Sequence, residues 1–217
     1  PDGEATTIAD LLTMRSGLDN YTAAPELAAA LDADPAKAWT PQEVLAIAFA
    51  HPREFAPGAE YEYNNTNYAL LGLVAEKVGG SPLTQQFRDR IFGPVGLKRT
   101  SLPAIQDTSI PAPYAHGYMY GESKYALDDI EYPAEMAAEM RDGTLTPVDY
   151  TNQNSSYATA AGGGISTVGP GGQRRLPETV VGQPAGGGSR CARRAGVRIW
   201  DLVSALQSDR PDVLPRG

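Results

Sequence analysis

The sequence predicts an α/β (α+β) fold in which the helical part dominates. Three observations predict it. Several apolar-periodic runs carry helix caps, only one short run alternates like a strand, and a glycine-rich turn separates the patterned chain from an atypical tail. At 217 residues and 41% hydrophobic content the chain is long and apolar enough for one good core.

The elements follow in order. Thr7 caps a predicted helix carrying Ile8, Leu11 and Leu12, with Gly17 as its stop. Thr40-Pro41-Gln42-Glu43 is a capping box with proline at the first helical position, and His51-Pro52 ends that helix. Residues 60–63 alternate as a short strand. Asn67 to Val78 reads as a helix buried on most sides, closed by Gly79-Gly80. Ser81-Pro82 opens another with Leu83, Phe87 and Ile91, which Gly93-Pro94 terminates. Beyond Leu102 the pattern weakens, with short helices near 133–141. Ala160 to Thr167 forms a turn whose glycines need positive φ or close backbone approach.

The net charge of -8 makes nucleic acid and acidic membrane poor partners. The single cysteine, Cys191, excludes an intramolecular disulfide and a cysteine-based metal cluster. No apolar run reaches the length of a membrane span, and no signal peptide is visible. The charge is unevenly spread, at -12 over residues 1–169 and +4 over 170–217. The last lysine is Lys124, and no tyrosine or phenylalanine follows Tyr157. Two units are therefore expected: a patterned domain over 1–168 and an Arg/Gly/Pro-rich tail over 169–217. A shifted reading frame near residue 169 would produce such a tail, and a flexible linker is the alternative.

Chemistry concentrates at Tyr63-Asn64-Asn65. A phenol titrates at about 10, so a tyrosine base needs cations beside it and a serine hydroxyl to deprotonate. Asn65, two residues on, points to the same side of an extended segment, and its amide can hold a substrate carbonyl or orient a lysine. A second Tyr-x-Asn, Tyr150-Thr151-Asn152, lacks this setting between a Pro-Gly turn and a buried helix. His51 reads as a helix-end group, His116 as a loop residue, Glu60 and Glu62 as a solvated face, and Ser16 as a cap.

Five segments in order resemble the serine beta-lactamase and penicillin-binding protein-like family, which includes class C beta-lactamases, D-alanyl-D-alanine carboxypeptidases and esterases. Leu11 to Leu18 resembles its "LLTHTSGL". Phe55-x-Pro57-Gly58 with Tyr63 to Gly72 resembles "F-x-PG…YSNTNYxLLG". Ile91 to Thr100, His116-Gly117-Tyr118 and Ala161 to Thr167 are similar to "I-x-x-PLGLxxT", "xGY" and "aGGlxST".

The resemblance implies a beta-lactamase/transpeptidase-like fold, here mainly its helical region, with part of the antiparallel sheet missing. It implies Tyr63 as general base and Asn65 as substrate contact. It implies acyl-serine hydrolysis of D-alanyl peptides, β-lactams or esters, a small-molecule or peptide partner, no cofactor and no metal. It also implies a place in the cell envelope or outside the cell.

Two departures stand beside it. No serine starts a Ser-x-x-Lys: Ser16 is followed at +3 by Asp19, Ser81 by Thr84, Ser101 by Ala104 and Ser123 by Ala126. No Lys/His-Thr/Ser-Gly follows residue 168 either. The chain as given is therefore expected to be an inactive fragment of a serine hydrolase, with a peptidoglycan-peptide binding module or a pseudogene product as alternatives.

Overall fold

A computed structural model of the chain describes residues 3–127 and 130–167. Helix α1 (Ile8–Leu12) starts at Thr7, whose hydroxyl accepts from Asp10 N while the Asp10 carboxylate accepts from Thr7 N. The helix ends well before Gly17, because Met14 turns the chain at φ 57. Gly17 itself takes φ 68, and a Cβ there would lie 2.0 Å from the Phe55 carbonyl oxygen, so only glycine fits.

Helix α2 (Pro25–Ala33) opens on proline and buries Leu27 and Leu31, one turn apart. Its alanine-rich run offers little contrast between faces, so its periodicity is weak in the sequence. Helix α3 (Pro41–Ala50) carries the expected capping box, and His51 is its C-cap. The long helix α4 (Asn65–Gly79) begins two residues earlier than its apolar pattern predicts, since Asn64 caps it. Gly80 closes it in the left-handed region at φ 65.

Helix α5 (Leu83–Phe87) runs into a π-helical turn over Arg88–Phe92. Helices α6 (Lys124–Leu127) and α7 (Ala134–Asp142) follow. Strands β1 (Tyr118–Met119) and β2 (Val148–Asp149) pair antiparallel, with Tyr118 opposite Asp149. An isolated antiparallel bridge joins Ser101 to Ile165.

The expected strand at 60–63 is absent. Glu62 N donates to Met14 O at 3.0 Å, but Met14 turns away and no ladder continues. In the glycine run the close backbone approach is at Gly163, where a Cβ would lie 3.0 Å from Thr159 O. A short helix α8 (Thr159–Gly162) occupies its start, and Thr159 rather than a glycine takes the positive φ, at 32.

One core joins α1 to α4 through Leu11, Tyr21, Leu27, Leu31, Trp39, Val44, Leu45 and Leu70. The α4–α8 crossing is closed at Gly72, where a Cβ would sit 2.7 Å from Ala160 Cβ. Polar bonds tie the last described segment back to α2 and α3. Asn154 N donates to Pro35 O at 2.8 Å, Trp39 N to Ser156 Oγ at 2.7 Å, and the Tyr21 hydroxyl to Tyr157 O at 2.7 Å. Burial pushes the Tyr21 phenol well above its usual range, so it stays a neutral donor. The expected tail over 169–217 lies outside the described residues. Among the described residues no helix is long and apolar enough to cross a membrane.

Candidate active site

Four consecutive residues at the start of α4 bind one loop, residues 14–22. Asn64 Oδ1 accepts from Thr66 N at 2.8 Å, and its Nδ2 donates to Leu18 O. Thr66 Oγ1 donates to Asp19 O at 2.7 Å and accepts from Tyr21 N at 3.2 Å. Asn67, fully buried, accepts from the Ser16 hydroxyl and donates to Met14 Sδ at 3.4 Å. Arg53 adds a bond to Ser16 O and another to Thr6 Oγ1 at 2.9 Å. The buried side chains of Ser16, Asn64, Thr66 and Asn67 each find a partner, which is the condition for such a network to stabilise rather than weaken a core.

Asn65 is held by the same loop. Its N–H donates to Asn20 Oδ1 at 3.1 Å, and its Nδ2 donates to Thr22 Oγ1 at 2.8 Å. Thr22 in turn donates to Asn20 Oδ1 at 3.0 Å. The Tyr63 hydroxyl donates to Asn65 Oδ1 at 3.1 Å. The structure therefore brings the two sequence-predicted residues into direct contact. The bond to Thr22 uses one of the two N–H donors of the Asn65 side chain, leaving the second for a ligand acceptor. Tyr63 is 61% exposed, so its phenol stands open to solvent beside that amide.

Acids gather next to this wall. Glu54 N donates to Gly17 O at 2.9 Å and Glu62 N to Met14 O at 3.0 Å, so both acids hang on the same loop. The Glu54 carboxyl is pushed up to about 7, first by its hydrogen bond to Glu62, then by burial and by the charges of Glu62 and Asp19. Burial also raises the Asp19 carboxyl, against the attraction of His51.

The other candidates have structural work. Ser16 is 1% exposed, and its Oγ also accepts from Leu18 N at 3.1 Å, so it locks the loop and caps no helix. His51 Nε2 lies 3.4 Å from Glu26 Oε1. His116 Nδ1 lies 2.8 Å from Asp149 Oδ2 on the hairpin. The second Tyr-x-Asn sits in the turn after β2, where the Thr151 hydroxyl and N–H bond Asp149. Among the described residues no group of three or more His, Cys, Asp or Glu is placed to hold a metal.

Sequence reasoning missed Asn20 and Thr22, which fix the Asn65 side chain. Their short polar side chains after Gly17-Leu18 are the only local sign, and their partners lie more than 40 residues away.

Known proteins resemble this chain in sequence and fold. The chain is 31% identical over 118 residues to a D-aminopeptidase of Cereibacter sphaeroides, a match covering 54% of the chain and 22% of that enzyme. It superposes on a D-stereospecific amidohydrolase from a Streptomyces species with TM-score 0.63 at 31% identity, covering 76% of the chain and 44% of the other. It superposes on a D-amino acid amidase from Ochrobactrum anthropi, complexed with D-phenylalanine, with TM-score 0.52 at 29% identity, covering 74% and 40%. The chain thus spans less than half the length of these relatives and shares the beta-lactamase/transpeptidase fold with the solved ones. A beta-lactamase family model matches residues 1–170, and the chain belongs to the beta-lactamase family.

Proposed function

We propose that the protein is the helical portion of a serine hydrolase acting on D-amino acid amides or on peptides with a D-amino acid, with Tyr63 as general base and Asn65 as the carbonyl-holding amide. The observation that carries this reading is the Tyr63–Asn65 contact at the start of α4, 3.1 Å long, within the family match. From its phenolate form, which a cation beside it would have to hold, Tyr63 would accept the proton of an attacking serine hydroxyl at its phenolic oxygen and return it to the leaving amine. The remaining Asn65 N–H would donate to the substrate carbonyl oxygen. The position of Asn65 in the first turn of a 15-residue helix adds the partial positive charge of the helix N-terminus there. The acids Asp19, Glu54 and Glu62 suit a substrate that carries a free ammonium group, as a D-amino acid amide does.

A second reading is a module that binds such peptides without cleaving them, and an intact Ser-x-x-Lys elsewhere in the protein would favour the hydrolase. A fluorescent phosphonate, which labels an activated serine, tests whether this chain by itself carries a working nucleophile. The 217-residue chain is expected to stay unlabelled, because removing the nucleophile from a cooperative catalytic unit removes many orders of magnitude in rate. Stoichiometric labelling of a serine in this chain, lost in Tyr63→Phe, would overturn the expectation of inactivity and leave the hydrolase reading as the only one.

A further inference from the structure

The Asn65 side chain can stand two ways round. Half a turn of a side-chain amide exchanges its oxygen and its nitrogen with little change of shape, so its partners decide which atom faces where. The Tyr63 hydroxyl, 3.1 Å from one end, can donate or accept, and so can the Thr22 hydroxyl, 2.8 Å from the other. Those two partners alone would satisfy either orientation. The choice matters to a ligand, because it sets where the spare N–H of Asn65 stands. One way round it is beside Thr22, and the other way round it is beside Tyr63.

A fixed donor breaks the tie. The Asn65 backbone N–H lies in the first turn of α4, where no carbonyl of that helix reaches it, and it donates to the Asn20 side chain at 3.1 Å. A backbone N–H never accepts, so the Asn20 atom facing it is the amide oxygen. The same oxygen lies 3.0 Å from Thr22 Oγ1, and the Thr22 hydroxyl gives its one proton to it. What Thr22 turns toward Asn65 is therefore a lone pair, which only Nδ2 can meet. Asn65 Oδ1 is left at the far end, where the Tyr63 hydroxyl donates to it. Thr22 is 6% exposed, so water competes little for these bonds.

We propose that Thr22 is a positioning residue: its hydroxyl, oriented by Asn20, locks Asn65 with the spare N–H on the Thr22 side, and a ligand carbonyl is received there. The place of the carbonyl rests on the role proposed for Asn65, whereas the locked orientation rests on these bonds alone.

The test uses the labelled 217-residue chain and two variants. Thr22→Val keeps the shape and removes the hydroxyl, and Thr22→Ser keeps the hydroxyl. In the unmodified chain the Asn65 NH2 protons are expected to show stronger nuclear Overhauser contacts to the Thr22 methyl than to the Tyr63 ring. In Thr22→Val the contacts to the Tyr63 ring should grow, and in Thr22→Ser they should stay weak. D-Phenylalanine amide should bind Thr22→Val about fivefold more weakly, the worth of one net hydrogen bond, and recover in Thr22→Ser. Phenethylamine has the ring and the ammonium but no carbonyl, and should bind all three forms alike. A merely structural role for Thr22 would weaken both ligands together.

An NH2 group already turned to Tyr63 in the unmodified chain, or one that Thr22→Val leaves unmoved in a folded variant, would overturn the lock. Amide and amine weakened alike in Thr22→Val would overturn the positioning role. D-Phenylalanine amide that binds none of the three forms would overturn the role proposed for Asn65 and with it the place of the carbonyl, while the Overhauser contacts still decide the orientation.

Discussion

Residues 11–70 and residues 83–149 are built on opposite terms. The first region buries Leu11, Tyr21, Leu27, Leu31 and Val44 almost completely. In the second, the described residues that reach the buried set are Gln86 and Ser123, both polar. Tyr118 there is 62% exposed and Val148 52%. The candidate site rides on the first region: Asn64 to Asn67 begin α4, and the loop they grip lies between α1 and α2. Its geometry is therefore set by packing, while the hairpin is held by a few surface bonds.

The sharpest way to break this contrast is to cut into each side. Leu27→Ala should destabilise the chain by about 3 kcal/mol, through lost burial and the cavity left behind. Ile91→Ala, at a side chain 45% exposed, should stay within about 0.5 kcal/mol. Urea unfolding measures both, and equal losses would erase the distinction.

A smaller effect tests the polar grip. Asn67→Ala strips the buried Ser16 hydroxyl of its acceptor and should cost about 2 kcal/mol. Adding Ser16→Ala should recover part of that loss, because the orphaned group is gone. If the double variant is as unstable as the sum of the two single ones, the two residues are not coupled.

The acid pair gives a pH signature that the hairpin lacks. The folded Glu54 carboxyl is raised from 4.5 to about 7. Its contribution is fully present below 4.5 and is lost as pH rises through about 7. The unmodified chain should therefore lose stability between those values, and Glu54→Gln should flatten the decline. The slope is shallow, since the Glu54 side chain faces water. Thermal melts from pH 4 to pH 8 record it, and an unchanged slope in Glu54→Gln would remove the pair from the account.

The smallest effect belongs to the hairpin. The Asp149 carboxyl is lowered to about 2, by Thr151 first and then by His116. What it contributes is present above 3.8 and is lost as pH falls through about 2. His116→Ala should move that titration upward, as read by carboxyl NMR, and leave the urea midpoint where it was. A shifted midpoint would show that the hairpin carries more of the fold than its exposure suggests.

Local chemistry decided what could be read from the sequence. Thr40 and Glu43 announce their helix because both halves of the capping box lie within four residues. Tyr63 and Asn65 are legible for the same reason, being two residues apart at a helix start. Asn20 and Thr22 are not, because what defines them is a partner beyond 40 residues. The run at 60–63 alternates like a strand, yet a strand needs a neighbour, and Met14 turns away after one bond. The glycine run suggested positive φ or close backbone approach, and the structure takes the second at Gly163, where a Cβ would lie 3.0 Å from Thr159 O, while Thr159 holds the positive φ.

The central claim is that Tyr63 and Asn65 form a wall that receives the carbonyl of a D-amino acid amide. Titrating the labelled 217-residue chain with D-phenylalanine amide tests it most directly. Shifts are expected at Asn64 to Asn67 and at Asn20 to Thr22, with binding about tenfold weaker in Asn65→Ala, the loss of one hydrogen bond, and unchanged in Asn152→Ala. Binding that survives Asn65→Ala, or that falls only in Asn152→Ala, would contradict the assignment.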